Sequence, residues 1–271
     1  MKLKEALYFL GLKPKTQIYG FKINKFELSS EGAVSYAQWL HPRESKKIIQ
    51  QDAVDELKKF LAPGDAAIDI GAHTGDSTIP IALAVGKTGC VFALEPNRYV
   101  FPILKQNSEL NRDKTNIAPL MFAATETNGK FEFNYSDAGF CNGGFHENIS
   151  RVRHAHAFSL KVEGKNLLNY LEAEHPESIQ KIRFIKVDAE GYDYTILKTV
   201  EKLIRAQKPF IKAEVHKLTT LAAREEFYQF LTDYGYEIFL VEEENNLRGK
   251  LLKKEHLAGK KHFDIFCVPK S

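Results

Sequence analysis

The chain has 271 residues, of which 44% are hydrophobic and 27% charged, enough to bury a full core as one large α/β domain. Its net charge of +3 is too slight for the strongly basic face expected of a nucleic-acid binder, although an anionic glycan or lipid acceptor stays open. No stretch approaches the ~20 apolar residues that a membrane span needs. The three cysteines, Cys90, Cys141 and Cys267, are odd in number and far apart, so they offer neither a disulfide framework nor a C-x-x-C metal site. Cys90 and Cys267 fall in apolar strand patterns as buried thiols, which favours a reducing, cytoplasmic setting.

Residues 1–12 read as a short amphipathic helix, because Glu5 interrupts the apolar run and no small-residue cleavage site follows. Weak alternation of Ile18, Phe21, Ile23, Phe26 and Leu28 predicts a small β-meander or strap over 16–40. Ile48, Ile49, Val54, Leu57, Phe60 and Leu61 have helical spacing, which predicts a helix over 44–61 that ends at Pro63-Gly64. Residues 1–62 are thus expected as an N-terminal extension and 63–271 as the main domain.

Ala66 to Ile70 is a strand running into Gly71-Ala72-His73-Thr74-Gly75, and the apolar segment from Ile79 to Val85 continues as a helix. Gly71 and Gly75 allow a sharp turn and close approach of backbone to a ligand. The next strand, 90–95, ends in Glu95, a carboxylate about twenty residues on that can accept from both hydroxyls of an adenosine ribose. The loop lacks both the full G-x-G-x-x-G and the G-x-x-x-x-G-K-[ST] patterns. Asp69 ahead of it would repel a pyrophosphate and suit a cationic amino or sulfonium group. S-adenosylmethionine carries both groups.

Alternation continues with a helix at about 98–110 and a third strand at about 116–123, so Ala123, Ala124 and Thr125 are expected at its carboxyl end. Between 129 and 163 two alternating segments, 130–135 and 157–162, flank a long loop, a pattern expected of a β-hairpin insertion whose tip covers the acceptor. In that loop, His154 and His156 are read as an exposed or substrate-facing pair and Arg151 and Arg153 as a solvated basic segment. A helix at about 165–174, strand four over 182–188, a helix carrying Tyr194, Leu197, Val200 and Ile204, and strand five over 209–215 follow. A helix at 219–234 and strands near 236–242 and 263–268, the last two as an antiparallel edge hairpin, complete the count.

Asp69-Ile-Gly-Ala-His-Thr-Gly75, Glu95-Pro-Asn97, Lys186-Val-Asp-Ala-Glu-Gly191 and Glu214-Val-His216 together resemble the successive motifs of the FkbM-type methyltransferases, in order and in spacing, across residues 30 to 240. Trp39-Leu-His-Pro42 belongs to the same resemblance. Ala189 and Asp193 depart from it, standing where the family tends to have an apolar β-branched residue and a glutamate. The resemblance implies a Rossmann-like seven-stranded methyltransferase sheet, mostly parallel, and transfer of a methyl group to a hydroxyl, often on a sugar or polyketide. Expected cofactor contacts are Asp69, Gly71, Ala72, His73, Gly75, Thr78, Glu95, Asn97 and Ala124, the last at a strand end that in this family lies beside the adenine.

Methyl transfer to oxygen is an in-line displacement, so the acceptor hydroxyl must be held opposite the methyl and lose its proton. Asp188, Glu190, Glu214 and His216 are the expected catalytic groups because they converge on adjacent strand ends. His216 is a base candidate near pH 7, Glu190 another if desolvated, and Asp188 an orienting group. A competing assignment makes Asp188, Glu214 and His216 ligands of a divalent cation, and the blandest makes these acids an ion-pair network with Lys186 and Lys212; direct acid-base chemistry without metal is preferred. The expected partner is a small-molecule or glycan acceptor. Among rivals, a nucleic-acid methyltransferase is disfavoured by Asp-Ala-Glu-Gly after strand four, and a nicotinamide dehydrogenase by the missing third glycine. A non-catalytic nucleotide-binding module is disfavoured by the retained acids.

Overall fold

The computed structural model describes residues 15–135, 137–141, 143–144 and 158–270. The helix expected at 1–12, and Arg151, Arg153, His154 and His156 with the tip of the insertion, lie outside the described residues.

The described chain opens with an antiparallel hairpin, β1 (Phe21–Leu28) and β2 (Gly32–Trp39), followed by α1 (Gln51–Lys58). Then come β3 (Ala66–Ile70), α2 (Thr78–Val85), β4 (Cys90–Leu94), α3 (Phe101–Leu110) and β5 (Ile117–Leu120). A second group follows: β6 (Ala123–Ala124), β7 (Gly129–Tyr135), β8 (Gly143–Gly144) and β9 (Phe158–Lys165). The chain continues through α4 (Leu167–Glu174), α5 (Pro176–Ile179), β10 (Ile182–Val187), α6 (Asp193–Thr199), α7 (Glu201–Gln207) and β11 (Phe210–Val215). It ends with α8 (Leu221–Asp233), β12 (Tyr236–Val241) and β13 (Phe263–Pro269).

Seven strands form the central sheet in the order β12-β13-β11-β10-β3-β4-β5. From β11 to β5 neighbours are parallel, and β13 runs antiparallel to both β11 and β12. This is the expected seven-stranded Rossmann-like sheet, and the order reverses between β3 and β10, where a doubly wound sheet opens its ligand crevice. Every residue of β3 is buried, as in a parallel strand covered on both faces.

All eight residues of α2 are buried, more than one amphipathic face explains. One side packs Ile81 and Val85 with Leu57, Leu61 and Val91, and the other packs Ile79 and Leu83 with Leu28, Tyr36 and Val54. The N-terminal hairpin therefore covers α2. Asn107 of α3 ties it down: Oδ1 accepts from the Ala37 N–H at 2.6 Å, and Nδ2 donates to the carbonyls of Ala37 and Thr74 at 3.1 and 2.7 Å.

Three expected boundaries shift. The helix expected from 44 begins only at Gln51, because Gln38 accepts from the Lys47 N–H at 2.7 Å and donates to the Ser45 carbonyl, taking the backbone groups a helix would use. The third strand ends at Leu120; Ala123 and Ala124 pair instead with Gly164 and Lys165 in a separate four-stranded sheet, β6-β9-β7-β8. Pro119 offers no N–H, which suits β5 to the sheet edge. The helix after strand four breaks at Val200, next to a Thr199 hydroxyl that donates back to the Ile196 carbonyl at 2.7 Å. Among the described residues no helix is long and apolar enough to cross a membrane.

Candidate active site

A cavity of about 810 Å³ lies over the carboxyl ends of the central strands. Gly71 and His73 after β3, Glu95 after β4, Ala124 in β6, Asp188 and Glu190 after β10, and Glu214 in β11 all line it. Sequence reasoning had not selected its other wall, where Glu44, Lys47 and Asp76 stand together.

Gly71 turns at φ 75°, and a Cβ there would lie 2.0 Å from the Asp188 carbonyl oxygen. Its N–H and that of Ala72 both donate to the Leu94 carbonyl, at 3.1 and 2.9 Å. Glycine here lets the ends of three strands close on one another. His73 follows at φ 49°, a left-handed conformation that side chains rarely adopt. That twist aims its N–H at Glu95 Oε2, 3.1 Å away, while the Asn97 N–H meets Oε1 at 2.8 Å. Burial pushes the Glu95 carboxyl up to about 7 against the pull of these two amides. Each oxygen has one protein donor and keeps acceptor capacity, the arrangement a pair of vicinal hydroxyls requires.

Asp69 does not face the cavity. Its carboxylate is fully buried beneath the turn, accepting from Ser77 Oγ at 2.8 Å, Thr78 Oγ1 at 2.7 Å and Lys186 Nζ at 3.1 Å. Burial pulls the Lys186 ammonium down, but Asp69 and Asp188 outweigh it and hold the group above the ordinary lysine range. Thr78 thus supports Asp69. Asn97 sits behind the wall, its Nδ2 donating to the Phe140 carbonyl at 2.7 Å, and Gly75 turns the loop with its N–H on the Ala72 carbonyl. Asp69, Ala72, Gly75, Thr78 and Asn97 are not part of the cavity lining and shape the turn from behind.

The acids meet at the other end. Asp188 and Glu190 are about half exposed, and Glu190 adopts φ 53° before Gly191 at φ 101°. Asp193 accepts from the N–H groups of Gly191 and Glu214, both at 3.2 Å, which locks the ends of β10 and β11 together. Burial, followed by the charges of Asp188, Asp193, Glu190 and Asp264, pushes the Glu214 carboxyl up to about 8. His216 Nδ1 accepts from the Leu218 N–H at 3.3 Å, so the neutral ring carries its proton on Nε2, 3.5 Å from Glu190 Oε2. Donor atoms of Glu190, Glu214 and His216 lie within 4.8 Å of one another. A metal ion on Nε2 would move the ring proton to Nδ1 and cost the 3.3 Å bond from the Leu218 N–H.

Residues 69–238, more than half of the chain, match the model of the methyltransferase FkbM domain. The chain belongs to the FkbM methyltransferase family. The chain also aligns with a methyltransferase FkbM from Methylobacillus flagellatus KT, at 16% identity and TM-score 0.42 over 76% of this chain. It spans only 44% of that protein's length. A SAM-dependent O-methyltransferase from Thermotoga maritima aligns at 14% identity and TM-score 0.43, over 93% of this chain and 78% of the other. Fibrillarin from Aeropyrum pernix, a structure with natively bound S-adenosyl-L-methionine, aligns at 13% identity and TM-score 0.43, over 94% and 97% of the two chains. No curated protein matches the FkbM chain.

Proposed function

We propose that this FkbM-family protein is an S-adenosylmethionine-dependent O-methyltransferase acting on a hydroxyl of a small molecule or carbohydrate. The observation that carries the cofactor is Glu95, a buried carboxylate at the cavity wall fixed by two backbone N–H groups and still able to accept from a ribose. The residues present fit that cofactor: Glu95 would hold the ribose, Gly71 and His73 the backbone side of the molecule, and Ala124 is small enough to leave room for the adenine. When bound, the cofactor supplies a methyl group activated by its sulfonium.

The chain's own residues would then hold the acceptor and take its proton. Asp188 and Glu190, half exposed at the cavity mouth, are hydrogen-bond acceptors suited to a polyhydroxylated molecule. His216 Nε2 stands 3.5 Å from Glu190 Oε2, close enough to form an ion pair with it when the ring is protonated. Glu214 is assigned as the general base, because a carboxylate whose pKa is near 8 is strong enough to accept a hydroxyl proton as it develops.

Calorimetric titration with S-adenosylhomocysteine, with NAD as control, tests the cofactor. Binding to the wild type that is lost in Glu95→Ala and absent for NAD supports the proposal, and absence of S-adenosylhomocysteine binding contradicts it. Methyl transfer to a panel of sugars and small alcohols, with and without magnesium, then tests the acceptor class.

A further inference from the structure

We infer that Glu44 holds the α-ammonium group of the cofactor's methionine moiety, an inference that rests on the cofactor proposed above. Glu44 lies in the segment between β2 and α1, outside the family match, and lines the same cavity as Gly71, His73 and Glu95. Its side chain is only 5% exposed, yet Oε1 has no hydrogen-bond partner among the described residues. A buried carboxylate oxygen in that state lacks the donor that native structures almost always provide.

The surrounding groups leave the place open. Lys47 forms an ion pair with Oε1 at 3.5 Å, longer than a good hydrogen bond, and directs its ammonium, which Glu44 shares, to Asp76 at 2.8 Å. His73 Nδ1 is 4.0 Å away, and burial pushes that ring down to about 4, so it brings no positive charge at neutral pH. The Cys141 thiol reaches only Oε2, at 4.0 Å. Asp69, the acid that the sequence offers for a cationic group, is fully buried and already accepts from Ser77, Thr78 and Lys186.

Position agrees with chemistry. His73 touches both acids, with its N–H on Glu95 and its ring beside Glu44. A ligand whose ribose sits on Glu95 and whose chain runs along the turn brings its amino-acid end to Glu44. An ammonium supplies the missing short donor and adds a second positive charge where one lysine serves two acids. The donor atoms of Glu44, His73 and Cys141 also lie within 4.8 Å of one another, so zinc is the rival occupant to be tested.

Calorimetry on the full chain separates these outcomes with S-adenosylhomocysteine, its analogue lacking the α-amino group, and 5′-methylthioadenosine. The wild type is expected to bind S-adenosylhomocysteine at least about tenfold more tightly than the deaminated analogue, the value of one charge-assisted hydrogen bond. Glu44→Gln is expected to abolish that preference while leaving affinity for methylthioadenosine unchanged. Equal wild-type affinity for the first two ligands overturns the inference even if Glu44→Gln fails to fold. So does equal weakening of all three by the variant, or stoichiometric zinc in the purified wild type that Glu44→Gln loses. Methylthioadenosine binding alongside that failure leaves the cofactor proposal standing; no adenosyl ligand binding at all removes both.

Discussion

Lys186 Nζ lies 3.1 Å from Asp69 Oδ1, on adjacent strands whose register sets the two residues side by side. Neither charge has an alternative partner in water, because the Asp69 side chain is fully buried and Lys186 nearly so. Removing Lys186 leaves the Asp69 carboxylate buried with two hydroxyl donors and no paired charge. Lys186→Met is expected to lower unfolding free energy by about 3–5 kcal/mol in urea titrations, with part regained in the Lys186→Met/Asp69→Asn double variant.

Glu95 couples ligand binding to protons. In the unfolded chain its carboxyl ionises near 4.5, whereas the folded chain holds the proton to about 7. The folded state binds more protons in that window, so this group's contribution to stability is present below 4.5 and lost as pH rises through 7. In the cofactor site proposed above, ribose hydroxyls would donate to the ionised form. Binding of S-adenosylhomocysteine at pH 6 is therefore expected to release protons, seen as a dependence of the calorimetric heat on buffer ionisation enthalpy, and Glu95→Gln should release none.

As the general base proposed above, Glu214 would set the pH dependence of turnover. With a folded pKa of about 8, the base is mostly protonated at pH 6 and ionised at pH 9. Turnover is expected to rise with pH through about 8, and Glu214→Gln to lower kcat by about 10²–10⁴ and flatten that rise. An unchanged profile in the variant would move the base to Glu190 or Asp188.

Gly71 admits no side chain. Its φ of 75° and the 2.0 Å approach of a Cβ to the Asp188 carbonyl both oppose Gly71→Ala, for which a loss of about 2–4 kcal/mol in chemical denaturation is expected. Gly20 has nothing within 4 Å of a Cβ, and Gly20→Ala should shift stability by no more than about 0.5 kcal/mol.

Much of this molecule is legible locally. The apolar run of β3, the glycines after it and Glu95 one strand later specify a strand-turn-helix with a carboxylate at its crest, because strand burial and turn chemistry are short-range properties of the chain. Strand count and the antiparallel end of the sheet follow from the same alternation, and β3, β11 and β12 fall where their patterns place them to within a residue.

Other features needed the third dimension. Ile48 and Ile49 fit a helix that Gln38, some ten residues earlier, prevents from starting before Gln51, and this keeps Glu44 at the cavity. Asp69 is an open acid in one dimension and a buried, ion-paired one in three, since its lysine stands 117 positions away. Ala124 lines the cavity from a different sheet than its pattern suggested. Sequence alone determined which segments are strands and helices and which turn carries the glycines, because those depend on neighbours a few residues apart. The tertiary structure decided which acids are already partnered and which face the cavity, because a hydrogen bond or ion pair is set by distance in space, and these partners come from strands and loops far apart in the chain.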